Sequence, residues 1–316
     1  MEFDNLRSIL KPLTMSVGKD PEVTGTKLKK YLQFYSMDFA IEFDVTHRMG
    51  IIAAAGFKIA THYWNFEDAR GTVFIFHGHL DHVGLFSHII RWCLKEQYNV
   101  VAIDFPGHGL SSGKRASIVS FDQYGEILKT LVSLCSQQLQ SPFFCIAQGA
   151  GTAAVMNMMW NHGKRPFAKM VFLAPLVRTK DWSNWGLRYQ LARIFRRTVK
   201  RRFVANSGDE EFNLFVKKQD PLQSKRVPVK WITAMRRWEN AFPSFPREIF
   251  NPLVMQGNQD VTMDWRFNIK QVRAHFPNGK TYLLAKANHH LANEVVGIRA
   301  SMLRQIKTYF DPQDSL

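Results

Sequence analysis

The sequence is poor in cysteine, in acidic residues and in long apolar runs, and each shortage excludes something. Three cysteines (Cys93, Cys135, Cys145) in 316 residues form an odd set with no C-x-x-C spacing. A disulfide scaffold and a zinc ribbon are therefore poor readings, and reduced, buried thiols are expected. No stretch approaches the 18 apolar residues that would suggest a bilayer-crossing helix. The first residues, Met1-Glu2-Phe3-Asp4, are acidic and lack the apolar core of a secretory leader. The expectation is a cytoplasmic protein whose membrane contact, where it exists, is peripheral to the inner face. Asp and Glu total 26 against 42 Lys and Arg, a net charge of +16. That balance favours an anionic partner such as a phospholipid surface, nucleic acid or an acidic substrate, and says nothing of fold. Repeats and low-complexity tracts are absent. With 46% hydrophobic and 22% charged residues, the chain is neither disordered, collagenous nor coiled coil.

What is present is an alternation. Residues 1–40 are weakly patterned and read as an arm of helix and loop. Ile51 to Tyr63 reads as a strand or hairpin. Short apolar runs then follow at 71–76, 99–103, 142–147 and 169–174, with helical spacing at 86–96, 121–134 and 152–160 between them. Such runs are too short for helices and are bounded by Gly, Pro and Asp. Continuous apolar strands alternating with amphipathic helices indicate a mostly parallel sheet covered by helices on both faces. From 177 to about 245 the alternation stops and the chain is rich in Arg, Lys and Trp. It resumes with runs at 252–257 and 281–284 and helices near 264–275 and from 291 to about 309. One α/β core, 1–176 and 246–316, is thus interrupted by a mostly helical cap at 177–245.

In such sheets ligands bind beyond the carboxyl ends of the strands, and four expected strand ends carry chemistry. At His77-Gly78-His79, the glycine permits a sharp turn, so that the N–H of His79 can serve as an oxyanion donor. At Asp104 to Gly113, the run Gly109-Leu110-Ser111-Ser112-Gly113 satisfies G-x-S-x-G. Pro106 and Gly107 separate it from the preceding strand and no helix follows until about Phe121, so it reads as a rigid loop rather than a nucleophile elbow. Ala147-Gln148-Gly149-Ala150-Gly151 does have the strand–turn–helix context, with small residues at 147, 150 and 151. Its middle position, where a nucleophile belongs, is Gly149. Finally, Gly257-Asn258-Gln259-Asp260 and Lys286-Ala287-Asn288-His289-His290 end two consecutive strands. An acid and then a base, in that chain order, fit a hydrolase triad.

Phe76-His77-Gly78, Asp104 to Gly113, Gly257 to Asp260 and His289 to Glu294 together resemble the α/β-hydrolase superfamily, in particular its lysophospholipase and monoacylglycerol lipase-like (serine aminopeptidase-like) group. The resemblance covers roughly residues 50–310. Asp220-Pro221-Leu222-Gln223 and Trp231 look similar to the bacterial lysophospholipase branch. The resemblance implies Asp260 as the triad acid and His289 as the base, with His290 the competing candidate. It implies the N–H groups of His79 and Ala150 as the oxyanion hole, a lipid or ester ligand, and no metal or cofactor. It places the family's serine at Gly149.

Glycine has no Oγ, so no acyl-enzyme can form at 149. Losing a triad nucleophile costs about 10⁶-fold in turnover. Three readings follow: a lysophospholipase-like carboxylic-ester hydrolase scaffold with impaired or absent acyl-enzyme catalysis, a residual hydrolase in which Asp260 and His289 activate water, and a non-catalytic lipid or membrane-surface binding protein. The segment 178–202 carries nine Lys and Arg residues against one acid, interleaved with Trp182, Trp185, Tyr189 and Phe195. Read as a helix, it either docks on anionic lipid or packs an apolar face on the core with its charges solvated. No nucleic-acid-binding module is recognisable, which argues against that partner.

Overall fold

A computed structural model describes residues 3, 5–16, 18–180, 196–201 and 203–311. Among the described residues are ten strands: β1 (Thr46–Ala54), β2 (Phe57–Asn65), β3 (Thr72–Phe76), β4 (Asn99–Ile103), β5 (Phe143–Gln148), β6 (Lys169–Leu173), β7 (Thr198–Lys200), β8 (Arg226–Pro228), β9 (Leu253–Gly257) and β10 (Lys280–Leu284). Eight form one sheet in the order β1-β2-β4-β3-β5-β6-β9-β10. β1 and β2 make an antiparallel hairpin and β2 pairs antiparallel with β4; every further pairing is parallel. The hairpin begins five residues before the expected Ile51.

The central strands have the composition that two-sided burial requires. Every residue of β3, β4, β5 and β9 is buried. Helices Asp122–Cys135 and Ala150–His162 pack on one face around Phe74, Phe76 and Cys145. Helices Ser87–Lys95 and Val296–Phe310 cover the other around Ile75, Val100 and Ile146. Cys93, Cys135 and Cys145 are free, buried thiols. The last helix starts at Val296 rather than Leu291, because the intervening Leu291–Asn293 is a single 3₁₀ turn.

The turn from β5 into its helix is tight. A Cβ on Gly151 would stand 2.3 Å from the Phe76 carbonyl oxygen and 2.8 Å from that of His77. Both are backbone atoms of β3 and its exit and cannot yield cheaply. Gly151→Ala is expected to destabilise the fold by about 1–3 kcal/mol or more, read as a lower urea midpoint. Gly297→Ala, where nothing lies within 4 Å, is the control. It is expected to be neutral or stabilising by up to about 1 kcal/mol, since alanine is the better helix former.

Between β6 and β9 the described residues add no strand to the large sheet. They form the β7–β8 ribbon and helices Glu210–Lys218 and Val229–Ala241. Of the basic segment 178–202, residues 181–195 (with Trp182, Trp185, Tyr189 and Phe195) and Arg202 lie outside the described residues. Thr198–Lys200 is a strand, not the helix expected there, because its backbone pairs with Arg226–Pro228.

The arm is more deeply built in than its weak patterning suggests. Phe3, Tyr31 and Tyr35 are buried and pack ring on ring. The Tyr35 hydroxyl donates to Asp220 Oδ1 at 2.7 Å, and His82 Nε2 donates to Asp220 Oδ2 at 3.0 Å. The His82 Nδ1 accepts the Gly84 N–H. One buried carboxylate thereby joins the N-terminal arm, the loop after β3 and the segment between β6 and β9. Burial would favour neutral Asp220, but the charge and hydrogen bond of His82 outweigh it and hold its pKa down at about 2. His82 is pushed the other way: burial lowers its pKa, and Asp220 more than restores it. Asp220→Ala leaves the His82 Nε2–H and the Tyr35 hydroxyl buried without their acceptor. The expected loss is about 3–5 kcal/mol of unfolding free energy. In the double variant with His82→Ala the loss is expected to be well below the sum of the single losses, measured by denaturant titration.

Candidate active site

Gly149, Asp260 and His289 are far apart in the sequence but converge at the carboxyl ends of β5, β9 and β10. Gly149 caps helix Ala150–His162 with φ 51° and ψ −117°, a region that disfavours residues with a side chain. Its N–H donates to the Leu173 carbonyl, and its own carbonyl accepts the Thr152 hydroxyl at 2.7 Å. The turn is thus pinned to the neighbouring strand and to its own helix. A Cβ built on Gly149 would lie 3.6 Å from His289 Nε2 and 3.6 Å from Gly78 Cα, with nothing closer. The space in front of the glycine is open, and an imidazole nitrogen faces it.

The other imidazole nitrogen is fixed. His289 Nδ1 donates to Asp260 Oδ2 at 2.9 Å. Asp260 Oδ1 accepts the N–H groups of Thr262 (2.8 Å) and Met263 (2.9 Å), and Gln256 Nε2 donates to Oδ2 at 3.0 Å. Burial opposes charge on Asp260, yet the His289 charge and these donors hold its pKa below the ordinary value. Burial likewise opposes the imidazolium of His289, and the charge and hydrogen bond of Asp260 overcome it, raising its pKa. Such an oriented pair can take and return a proton at Nε2.

His290, the competing candidate, points elsewhere. Its Nε2 is 3.5 Å from Asp81 Oδ2, and its ring packs on Phe86 and Phe212. The Ala150 N–H opens the helix and has no intrahelical acceptor; neither it nor the His79 N–H donates to another group among the described residues. The His79 ring is held away, stacked on Trp231 at 3.6 Å and bonded through Nε2 to the Ala116 carbonyl. In the loop after β4, the Ser111 hydroxyl donates to the Asp104 carbonyl and accepts the Ala60 N–H, so it is wholly spent within a buried turn.

A cavity of about 320 Å³ opens over His289. Its walls are His79, Asp81 and His289 from the strand-end loops and Trp231, Ile232 and Met235 from helix Val229–Ala241. Arg201 and Asp81 also line it and were not legible as site residues. Arg201 is one of many cations in a basic run, and nothing local marks it as inward-facing. Among the described residues no group of three His, Cys, Asp or Glu is arranged to hold a metal ion. No helix among them is long and apolar enough to cross a membrane.

This sheet and these strand-end loops define an α/β-hydrolase fold, with the scaffold of lipase- and esterase-like members. A soluble variant of the monoglyceride lipase of Saccharomyces cerevisiae, solved with a substrate analogue, matches 84% of this chain and 94% of its own with a TM-score of 0.70 at 15% identity. The monoacylglycerol lipase of Paleococcus ferrophilus matches at a TM-score of 0.66 and 18% identity, over 79% of this chain and 96% of its own. The serine aminopeptidase S33 family model matches residues 67–295, and the chain belongs to that family. Among its relatives, a mouse monoglyceride lipase is 21% identical over 82% of this chain and 88% of its own length. A monoacylglycerol lipase of Mycolicibacterium smegmatis is 28% identical over 40% of this chain and 45% of its own length.

Proposed function

We propose that the chain is a lysophospholipase- or monoacylglycerol lipase-like protein that binds a lipid carboxylic ester or acid but does not form an acyl-enzyme. In this reading residue 149 is the nucleophile position, Asp260 and His289 are the acid and base, and the His79 and Ala150 N–H groups are the oxyanion hole. Residues 177–245 are the cap. The observation that carries the reading is the 3.6 Å separation between His289 Nε2 and the position a Gly149 Cβ would take. A side chain there would sit against the base; glycine offers nothing to deprotonate. The cavity's apolar cap wall and the lipase relatives support a lipid ligand. The net charge of +16 supports contact with an anionic membrane surface, with 178–202 as the docking segment. Vesicle sedimentation tests that contact: binding that ignores anionic lipid content and salt would rule it out.

The competing reading, in which the Asp260–His289 pair drives water onto the ester, predicts turnover that depends on His289. Monoacylglycerol hydrolysis by the purified chain is therefore compared with that of His289→Ala. Equal, background-level rates are expected here. A rate abolished by the substitution would favour the residual enzyme instead.

A further inference from the structure

The cavity over His289 holds a second cation. Arg201 stands just beyond β7 and is partly withdrawn from water, and burial pulls its pKa down. Its Nη1 donates to Gln223 Oε1 at 2.7 Å and, less well, to the Ser224 carbonyl at 3.4 Å. Its Nε and Nη2 donate to nothing among the described residues. A guanidinium losing water without filling its donors is costly, and its planar fork matches a carboxylate or phosphate.

The far end of the cavity has the same bias. His79 and His289 line that end; behind His289, facing its Nε2, is the space in front of Gly149, where helix Ala150–His162, 13 residues long, begins, and among the described residues the Ala150 and His79 N–H groups carry no acceptor. His289 Nε2 faces it, and its other nitrogen is locked to an acid that favours the protonated ring. With serine at 149 much of this space would be filled by a hydroxymethyl group. With glycine it has room for a ligand oxygen. Asp81 also lines the cavity and opposes an anion, and its charge, with that of Asp220, already acts on Arg201, so an anionic ligand competes with these carboxylates for the guanidinium. The remaining wall is largely apolar, including Leu176, Val227, Trp231, Ile232, Met235 and Met263. An ester presents only a neutral carbonyl to this arrangement. An ionised acid uses all of it.

We infer that the cavity is a binding site for a single-chain carboxylate amphiphile as its anion, one carboxylate oxygen occupying the space in front of Gly149 and Arg201 supplying the counter-charge. This rests on residue 149 being the nucleophile position and adds the ligand class.

The test is calorimetric titration of the full chain with decanoate, kept below its micelle concentration, against decan-1-ol and methyl decanoate. Decanoate is expected to bind at least about tenfold more tightly than either neutral probe. Arg201→Gln is expected to weaken decanoate by about tenfold and leave decan-1-ol unchanged, whereas Arg201→Lys keeps much of the preference. Gly149→Ser is expected to weaken decanoate alone, because the new hydroxymethyl group takes the oxygen's place. Equal affinity for acid and alcohol overturns the inference, as does an Arg201→Gln loss shared by both probes. Unchanged decanoate binding in Gly149→Ser overturns the placement. If Gly149→Ser gains esterase activity while the parent chain shows no preference for decanoate, the ligand class fails and the reading of residue 149 stands.

Discussion

Gly149→Ser is expected to turn the chain into an esterase, raising kcat/KM on a monoacylglycerol by at least about 10³-fold over the parent. The full span between a triad enzyme and one lacking its nucleophile is about 10⁶-fold, and the variant is expected to recover part of it. The remaining parts are already in position. A serine Cβ makes only ordinary contacts, 3.6 Å to His289 Nε2 and to Gly78 Cα. From there a rotamer carries Oγ within hydrogen-bond reach of that nitrogen, and the Asp260 bond holds the ring so that Nε2 can accept the proton. The gain has a cost in stability. At φ 51° a residue with a side chain is strained by about 1–3 kcal/mol, which a fall in the denaturation midpoint should register. The gained activity should disappear in the double variant with His289→Ala.

The second large effect is acid sensitivity. His77, His108 and His62 are buried and neutral by construction. His77 Nδ1 donates to the Gly78 carbonyl while Nε2 accepts the Phe105 N–H at 2.9 Å. His108 Nδ1 donates to the Pro106 carbonyl while Nε2 accepts the Leu80 N–H at 3.1 Å. Protonating either ring would set one N–H against another. Burial lowers the pKa of His77 and of His62 to about 3, and of His108 to about 4, from the ordinary 6.5. Below pH 6.5 the unfolded chain takes up protons that the folded chain refuses, so stability falls as pH falls. Each such histidine contributes a slope of up to about 1.4 kcal/mol per pH unit. Three together become comparable to the whole stability of a typical domain within two or three units. The chain is expected to unfold cooperatively between about pH 4 and 5.5, followed by tryptophan fluorescence. His82 and His289, whose pKa values are raised rather than lowered, do not add to this slope. His108→Gln, which can also accept from the Leu80 N–H, should shift the transition to lower pH.

The sheet was readable because its central strands are buried on both faces, which writes them as unbroken apolar runs such as Val73-Phe74-Ile75-Phe76. The strand-end positions of Gly149, Asp260 and His289 were readable because each follows an apolar run. The choice between His289 and His290 was not, since both occupy the same loop and only the fold decides which ring meets Asp260 and which meets Asp81. The arm escaped notice for another reason. Of its buried rings only Tyr31 and Tyr35 share a helical spacing, Phe3 lies 28 residues before Tyr31, and the partner of the Tyr35 hydroxyl is 185 residues away. The His82–Asp220 pair spans 138 residues and leaves no local mark.

Intact-mass analysis after treatment with an alkyl fluorophosphonate reads the chemistry of residue 149 most directly. The account predicts no adduct on the parent chain, one stoichiometric adduct on Gly149→Ser mapping to residue 149, and none when His289→Ala is added. An adduct on the parent chain at another serine, or a well-folded Gly149→Ser that stays unlabelled, would contradict it.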